Sequence, residues 1–247
     1  MRRVMLLAGG CLVALGCSGG FRPGQYATPQ ELFDVSQEMY RGGNCSDAEL
    51  GFRRVTSQLP VRDSLAVRAR FLMAECQFAQ SMYLEAARQF RRVADEAPSH
   101  VLAPRALLRA GDAQGQLWKR AELDPTYGDA ALVTYQEVMA RYPRSEVSGR
   151  AALKLAALGE RFAEKDYKNG MYYFRFGAYL SAILYFKAVV TDHGATSYAG
   201  LALIKLVQSY ERLGFAEEER ETCDNLRRFY PTTEHLDEVC PSGSAMP

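Results

Sequence analysis

A set of four residues, Ala48, Phe52, Val55 and Pro60, returns thirty-eight positions later as Ala86, Phe90, Val93 and Pro98. The same spacing recurs as Ala131, Tyr135, Val138 and Pro143, and again as Ala182, Phe186 and Val189, with Gly194 where the proline would stand. A small residue followed by bulky ones four and seven positions on lies along one face of a helix. The small residue lets a second helix approach, and the bulky ones fill the groove between the two. The proline then ends the helix, because it has no N–H for the ladder and disfavours helical backbone in the residue before it. One such helix per period predicts a stack of helical hairpins in which each unit buries its face on its neighbours.

These positions resemble the second helix of a tetratricopeptide repeat, and Gly170 and Tyr173 match its first helix. The expected fold is all-α, a tetratricopeptide-repeat superhelix of about five helical hairpins over residues 29–232. The fifth unit is degenerate: only Leu226 and Pro231 keep the pattern, with Cys223 at the aromatic position and Glu219 at the alanine position. Two intervals exceed the basic repeat. Trp118 to Gly128, containing Asp124-Pro125, is expected to form a long exposed loop inside the third unit. Leu153, Ala156, Ala157, Phe162, Ala163 and Tyr167 recur at helical spacing, so the fourth unit should have a long first helix able to brace two neighbours. Beyond Pro231 the periodicity is lost, and residues 233–247 are expected to form a loosely docked C-terminal tail.

The N-terminus has a different character. Arg2 and Arg3 precede an apolar run from Val4 to Leu15, the charge and length of a secretory signal and too short for a membrane-spanning helix. Val13-Ala14-Leu15-Gly16-Cys17 resembles a bacterial lipobox, which implies a signal peptide at 1–16 and a lipidated Cys17 as mature N-terminus. Two or three acyl chains make such anchoring stable. Ser18 stands where aspartate would mark inner-membrane retention, so the resemblance implies the periplasmic face of the outer membrane. Residues 17–28, Gly-rich with Pro23, are expected to form a flexible tether.

Thirty basic and twenty-nine acidic side chains leave a formal charge of +1, so no global field favours nucleic acid. A literal Gly-x-Ser-x-Gly at Gly16 to Gly20 lacks the strand and helix that a nucleophile elbow needs. His100, His193 and His235 fall in turns or the tail without a second ligand at metal spacing, and read as solvated loop residues. No catalytic residue, metal site or cofactor motif is expected, and the chain does not read as an enzyme. Cys45, Cys76, Cys223 and Cys240 lie beyond the signal region. Cys223 and Cys240 are the candidate disulfide, tying the tail to the last hairpin, whereas Cys45 in the first hairpin turn and Cys76 on a helix look a poorer pair. Arg53-Arg54 and Arg91-Arg92 recur by register and read as solvated helix surface. The run Gly170 to Leu180 holds more aromatics than one turn can turn inward; Tyr172, Arg175 and Tyr179 are candidate partner-binding residues of interface-anchoring type.

Leu123-Asp124-Pro125 through Val147, with Ala131, Tyr135, Gln136, Arg141-Tyr142-Pro143 and Ser145, then Gly170 to Ala182 and Asp192 to Thr196, resembles the BamD lipoproteins of the outer-membrane β-barrel assembly machinery. His193-Gly194 departs from the Tyr-Pro usual in that family. The resemblance implies a non-catalytic scaffold that binds the barrel-forming subunit through its periplasmic domains and helps recognise and insert nascent outer-membrane proteins. It places the barrel-subunit dock at the aromatic turn and a substrate groove in units one and two, roughly Leu32 to Pro98. The alternative with the same fold is a periplasmic repeat adaptor for cell-wall or division machinery.

Overall fold

The computed structural model describes residues 20–241, within which all regular structure is helical. A 3-10 turn at Pro23–Gln25 leads into α1 (Pro29–Arg41), α2 (Cys45–Gln58), α3 (Ser64–Ala79), α4 (Tyr83–Glu96), α5 (Ala103–Leu117) and α6 (Thr126–Arg141). There follow α7 (Glu146–Arg175), α8 (Tyr179–Asp192), α9 (Tyr198–Leu213), α10 (Ala216–Phe229) and the short α11 (Leu236–Val239). Successive pairs from α1 to α10 form five hairpins, and each helix packs on the next along the chain. This is the all-α repeat superhelix expected from the spacing.

Local chemistry starts and stops the helices where the pattern requires. Thr28 caps α1 by accepting from the Glu31 N–H at 3.1 Å, and Glu31 reaches back to the Ala27 N–H at 3.1 Å, satisfying two otherwise orphaned donors. Asp63 caps α3 through the Leu65 N–H at 2.8 Å. Four of the five hairpins turn on a left-handed residue, Gly43, Ser81, Gly177 or Gly214. In each, the next N–H donates back to a carbonyl five residues earlier, as from Ala178 to Tyr173 at 3.0 Å.

The repeat positions form the core. Ala48, Phe52 and Val55, and their counterparts in units two and four, are fully buried; Tyr135 is nearly so. Each buried Phe contributes roughly 1.5–3 kcal/mol of transfer free energy. Glycines on the first helices complete the fit. A Cβ on Gly170 would lie 2.5 Å from the Phe186 ring, and one on Gly111 would lie 2.6 Å from Tyr135. In the fifth unit Leu226 is buried and half-buried Glu219 replaces the packing alanine.

Three expectations change. The insertion in unit three is exposed over Lys119, Arg120 and Glu122 to Asp124, as expected, but it is shorter and is anchored at Trp118 and Ala121. α6 begins at Thr126, and Trp118 is only 1% exposed. The Trp118 ring lies 4.7 Å from Phe162, under the Arg161 guanidinium at 4.6 Å, while Arg161 also donates to the Trp118 carbonyl. Gly128 leaves room for that ring, an arrangement that polarity and Asp-Pro breaking signals could not reveal. Within the segment expected to be flexible, Phe21 and Tyr26 instead pack on the first hairpin's core. The tail is docked through α11 against α9, with buried Cys240. The long helix of unit four is present: α7 has 30 residues and touches α5, α6, α8 and α9.

Gly149 and Gly170 both lie in α7, but a Cβ on Gly149 meets nothing within 4 Å. Gly149→Ala should therefore raise unfolding free energy by about 0.5–1 kcal/mol through helix propensity. Gly170→Ala should lower it by about 1–3 kcal/mol through overpacking. Urea titration followed by circular dichroism measures both; equal effects would contradict the packing.

Candidate functional site

The fourth hairpin divides its aromatics between two jobs. Tyr173 stacks on Tyr185 with centroids 5.4 Å apart, and Phe174 meets Tyr179 edge-on at 5.4 Å, so these rings close α7 onto α8. On the opposite side Tyr172 is 59% exposed and Phe176 74%, their rings 4.8 Å apart. α8 adds Leu180 and Leu184, 62% and 70% exposed. Arg175 is exposed and makes no ion pair among the described residues. Of the three residues singled out from sequence, Tyr172 and Arg175 are thus displayed, whereas Tyr179 is half-buried as a packing residue. Phe176, Leu180 and Leu184 were missed. Their signal was available: once Ala182, Phe186 and Val189 are assigned to the core, 180 and 184 fall on the other face of α8. Tyr172 with Phe176 on α7, and Leu180 with Leu184 on α8, are thus exposed apolar pairs on the outer faces of the hairpin, and such exposure marks candidate contact surface.

A second feature lies in units one and two. A cleft of about 390 Å³ is lined by residues of α2, α3 and α4, including Arg53, Arg70, Gln77, Arg88, Gln89 and Arg92. Arg70 is buried and donates to Glu96 at 2.6 Å, and Arg92 shares that carboxylate at 3.1 Å. Burial makes Arg70 hold its proton less tightly than a free guanidinium, and Glu96 opposes this. Gln77 donates to Glu49 at 3.0 Å, but the side-chain oxygens of Gln77 and Gln89 are buried without a donor. An unpaired buried acceptor costs about 1–3 kcal/mol; both oxygens are enclosed in the wall of the cleft and do not open onto it.

By contrast, the cleft of about 320 Å³ between α5, α6 and α7 is internally paired. Arg109 forks onto Glu75 at 3.0 and 2.6 Å, and the Tyr135 hydroxyl donates to Asp112 at 3.0 Å. Lys154 lies 3.2 Å from Asp112. This network ties four helices together and leaves nothing reaching for a ligand.

The remaining sequence candidates are structural or lie elsewhere. Cys17 falls outside the described residues, as does the signal sequence. Cys223 and Cys240 are joined, with Cα atoms 5.7 Å apart, and Arg227 donates to the Cys240 carbonyl at 2.7 Å. His193 is not solvated: its ring stacks on Phe162 at 6.0 Å and faces Asp166 at 3.9 Å, whose carboxyl is pushed up by burial and drawn back by His193. His100 accepts from the Leu102 N–H at 3.1 Å and bonds Ser64 at 3.2 Å, while His235 is exposed. Arg91 also departs from the solvated expectation, pairing with Glu137 at 2.6 Å across two hairpins.

Residues 25–226 match the YfiO family, described as outer membrane lipoprotein. The outer membrane protein assembly factor BamD of Caulobacter vibrioides is 27% identical over 187 residues, covering 76% of this chain and 61% of the relative. That of Neisseria meningitidis is 24% identical over 160 residues, covering 62% and 60%. The match therefore spans about three fifths of the length of these curated relatives. Among solved structures, the P58(IPK) TPR domain is similar with TM-score 0.46 and 13% identity, over 86% of this chain and 54% of that one. A tetratricopeptide repeat protein from Parabacteroides merdae has TM-score 0.39 and 16% identity, over 86% and 70%.

If the displayed side chains serve contact and not packing, replacing Phe176 and Leu184 together by Ser should change unfolding free energy by less than about 0.5 kcal/mol per site. Phe186→Ala, in the same hairpin but fully buried, should cost about 3 kcal/mol or more. Denaturant midpoints decide between these.

Proposed function

The chain belongs to the YfiO family of outer membrane lipoproteins, and from that premise we propose that it is a non-catalytic scaffold of outer-membrane β-barrel assembly. It binds the barrel-forming subunit and helps present incoming outer-membrane proteins. The observation that carries the reading is the exposed tip of the fourth hairpin, where Tyr172, Phe176, Leu180 and Leu184 are held out by an inner set of rings. A rigid apolar tip with Arg175 beside it has the composition of an interface hot spot, because its side chains are already ordered before a partner arrives. It docks the periplasmic domains of the barrel-forming subunit.

The cleft of units one and two is the place for substrate. An extended peptide lies along the cleft, and its carboxylate meets Arg88, which has no ion pair among the described residues. The length of the tether supports a position near the membrane. Residues 1–16 are the signal peptide, Cys17 carries the lipid, and only Ser18, Gly19 and Gly20 separate it from Phe21, which is packed on the first hairpin. Four Cα steps reach at most about 14 Å, so the substrate cleft is held near the periplasmic surface of the outer membrane.

Affinity purification of the full chain in mild detergent tests the two surfaces separately. Phe176→Glu with Leu184→Glu should lower recovery of a barrel protein with periplasmic domains about 30-fold, the equivalent of about 2 kcal/mol. Arg88→Glu should keep that partner while reducing cross-linking to unfolded barrel substrates. Recovery of peptidoglycan enzymes with no barrel partner would instead establish a cell-wall adaptor. Cys17→Ala should move the chain from the detergent phase to the aqueous phase in a phase-partition assay; unchanged partitioning would refute the lipid anchor.

A further inference from the structure

The junction of units one and two holds a cysteine pair that the sequence, with Cys45 in a hairpin turn and Cys76 on a helix, made the poorer one. Cys45 is the opening residue of α2, half-buried, and Cys76 lies near the end of α3 with no exposure. Both pack in the same core cluster, around Phe33 and Phe52. The register between the helices is fixed nearby: Gln77, next to Cys76, donates at 3.0 Å to Glu49, one turn along from Cys45. The two thiols, both free in the structure, are close enough to influence one another, and Tyr40 packs in the same cluster. Thirty-one positions apart in the chain, the two cysteines come together in one core cluster at the junction between units one and two.

We propose that Cys45 and Cys76 form a second disulfide, which staples the start of α2 to the end of α3. The oxidant is an external disulfide, either oxidised glutathione or an oxidoreductase of the dithiol class. Cys45 reacts first, because it is the partly exposed sulfur. Its thiolate attacks one sulfur of the oxidant, forming a mixed disulfide and releasing one thiolate. The Cys76 thiol passes its proton to that thiolate, and its sulfur then attacks the Cys45 sulfur, releasing a second thiolate that takes up from solvent the proton Cys45 gave up. Two protein thiols are oxidised by two electrons, and one external disulfide is reduced to two thiols. Burial, with the neighbouring Cys45 thiol, pushes the Cys76 proton affinity well above that of a free thiol, which agrees with Cys45 leading.

The position gives the bond a purpose. In a stack of repeats the end units have one neighbour each and fray first. Cys223–Cys240 closes the C-terminal end by tying α11 to α10. Cys45–Cys76 closes the other end, beside the Gln77 that lines the proposed peptide cleft.

The staple rests on the exported reading only for where the chain meets its oxidant, so the chemistry is tested on the purified full chain. The reduced, folded protein is equilibrated with oxidised glutathione, alkylated in denaturant and mapped by mass spectrometry without reduction. Linked peptides Cys45–Cys76 and Cys223–Cys240 are expected. Cys45→Ser, a conservative change at a helix start, should retain the wild-type circular dichroism, lose the first linkage entirely and leave Cys76 alkylated. Wild-type protein with Cys223–Cys240 linked but Cys45 and Cys76 alkylated or glutathionylated would overturn the proposal. The same mapping on chain trapped with alkylating agent in the bacterial envelope separates the two ideas. Four reduced cysteines there would count against export, whereas a lone Cys223–Cys240 linkage there would count against the staple.

Discussion

Each of the first four hairpins closes on one contact: a buried alanine on its second helix, with an aromatic one turn later filling the space that the alanine leaves open. The interhelix distance is set there. Phe186 can lie against α7 because Gly170 offers no side chain, and Tyr135 against α5 because Gly111 offers none. Since interiors pack at crystal-like density, a contact repeated at this precision leaves each unit one way to sit on the next. The orientation of everything on the surface follows from it.

Longer-range ties then hold the stack as one body. α7 is about 45 Å long at 1.5 Å per residue and reaches helices of the third, fourth and fifth units. Trp118 packs into its middle, converting an insertion into a brace. Arg91 to Glu137, Arg109 to Glu75 and Arg141 to Asp95 at 2.8 Å link neighbouring hairpins with charge-assisted bonds. Rigidity of this kind matters for a scaffold, because a surface ordered before binding loses less conformational entropy when a partner arrives. The apolar tip of the fourth hairpin has that support beneath it. The cleft of units one and two is built on the same frame, and the proposed cysteine staple stands at that cleft's edge.

Much of the fold was legible in the sequence because the repeat is a local, one-dimensional code. Ala48, Phe52 and Val55 declare a helix face by their spacing alone, and their recurrence declares the number of units. The length of α7 was equally visible in its periodic apolar residues. The candidate surfaces were legible only in part. Crowding between Gly170 and Leu180 shows that some aromatics must face outward, yet it does not say which; Tyr172 does and Tyr179 largely does not. The orphaned oxygens of Gln77 and Gln89 have no sequence signature, since an amide's partners are set by whichever side chains the neighbouring helices bring.

The sequence by itself therefore determined the all-α repeat architecture, the hairpin count, the core positions and the family resemblance, all of which depend on spacing within one helix or between successive units. Tertiary structure alone decided the burial of Trp118, the docking of Phe21, the display of Tyr172 beside a half-buried Tyr179, and the meeting of Cys45 with Cys76. Those outcomes depend on how far each helix is rotated and shifted against its neighbour. That quantity emerges from packing the whole interface at once and is not carried by any single stretch of chain.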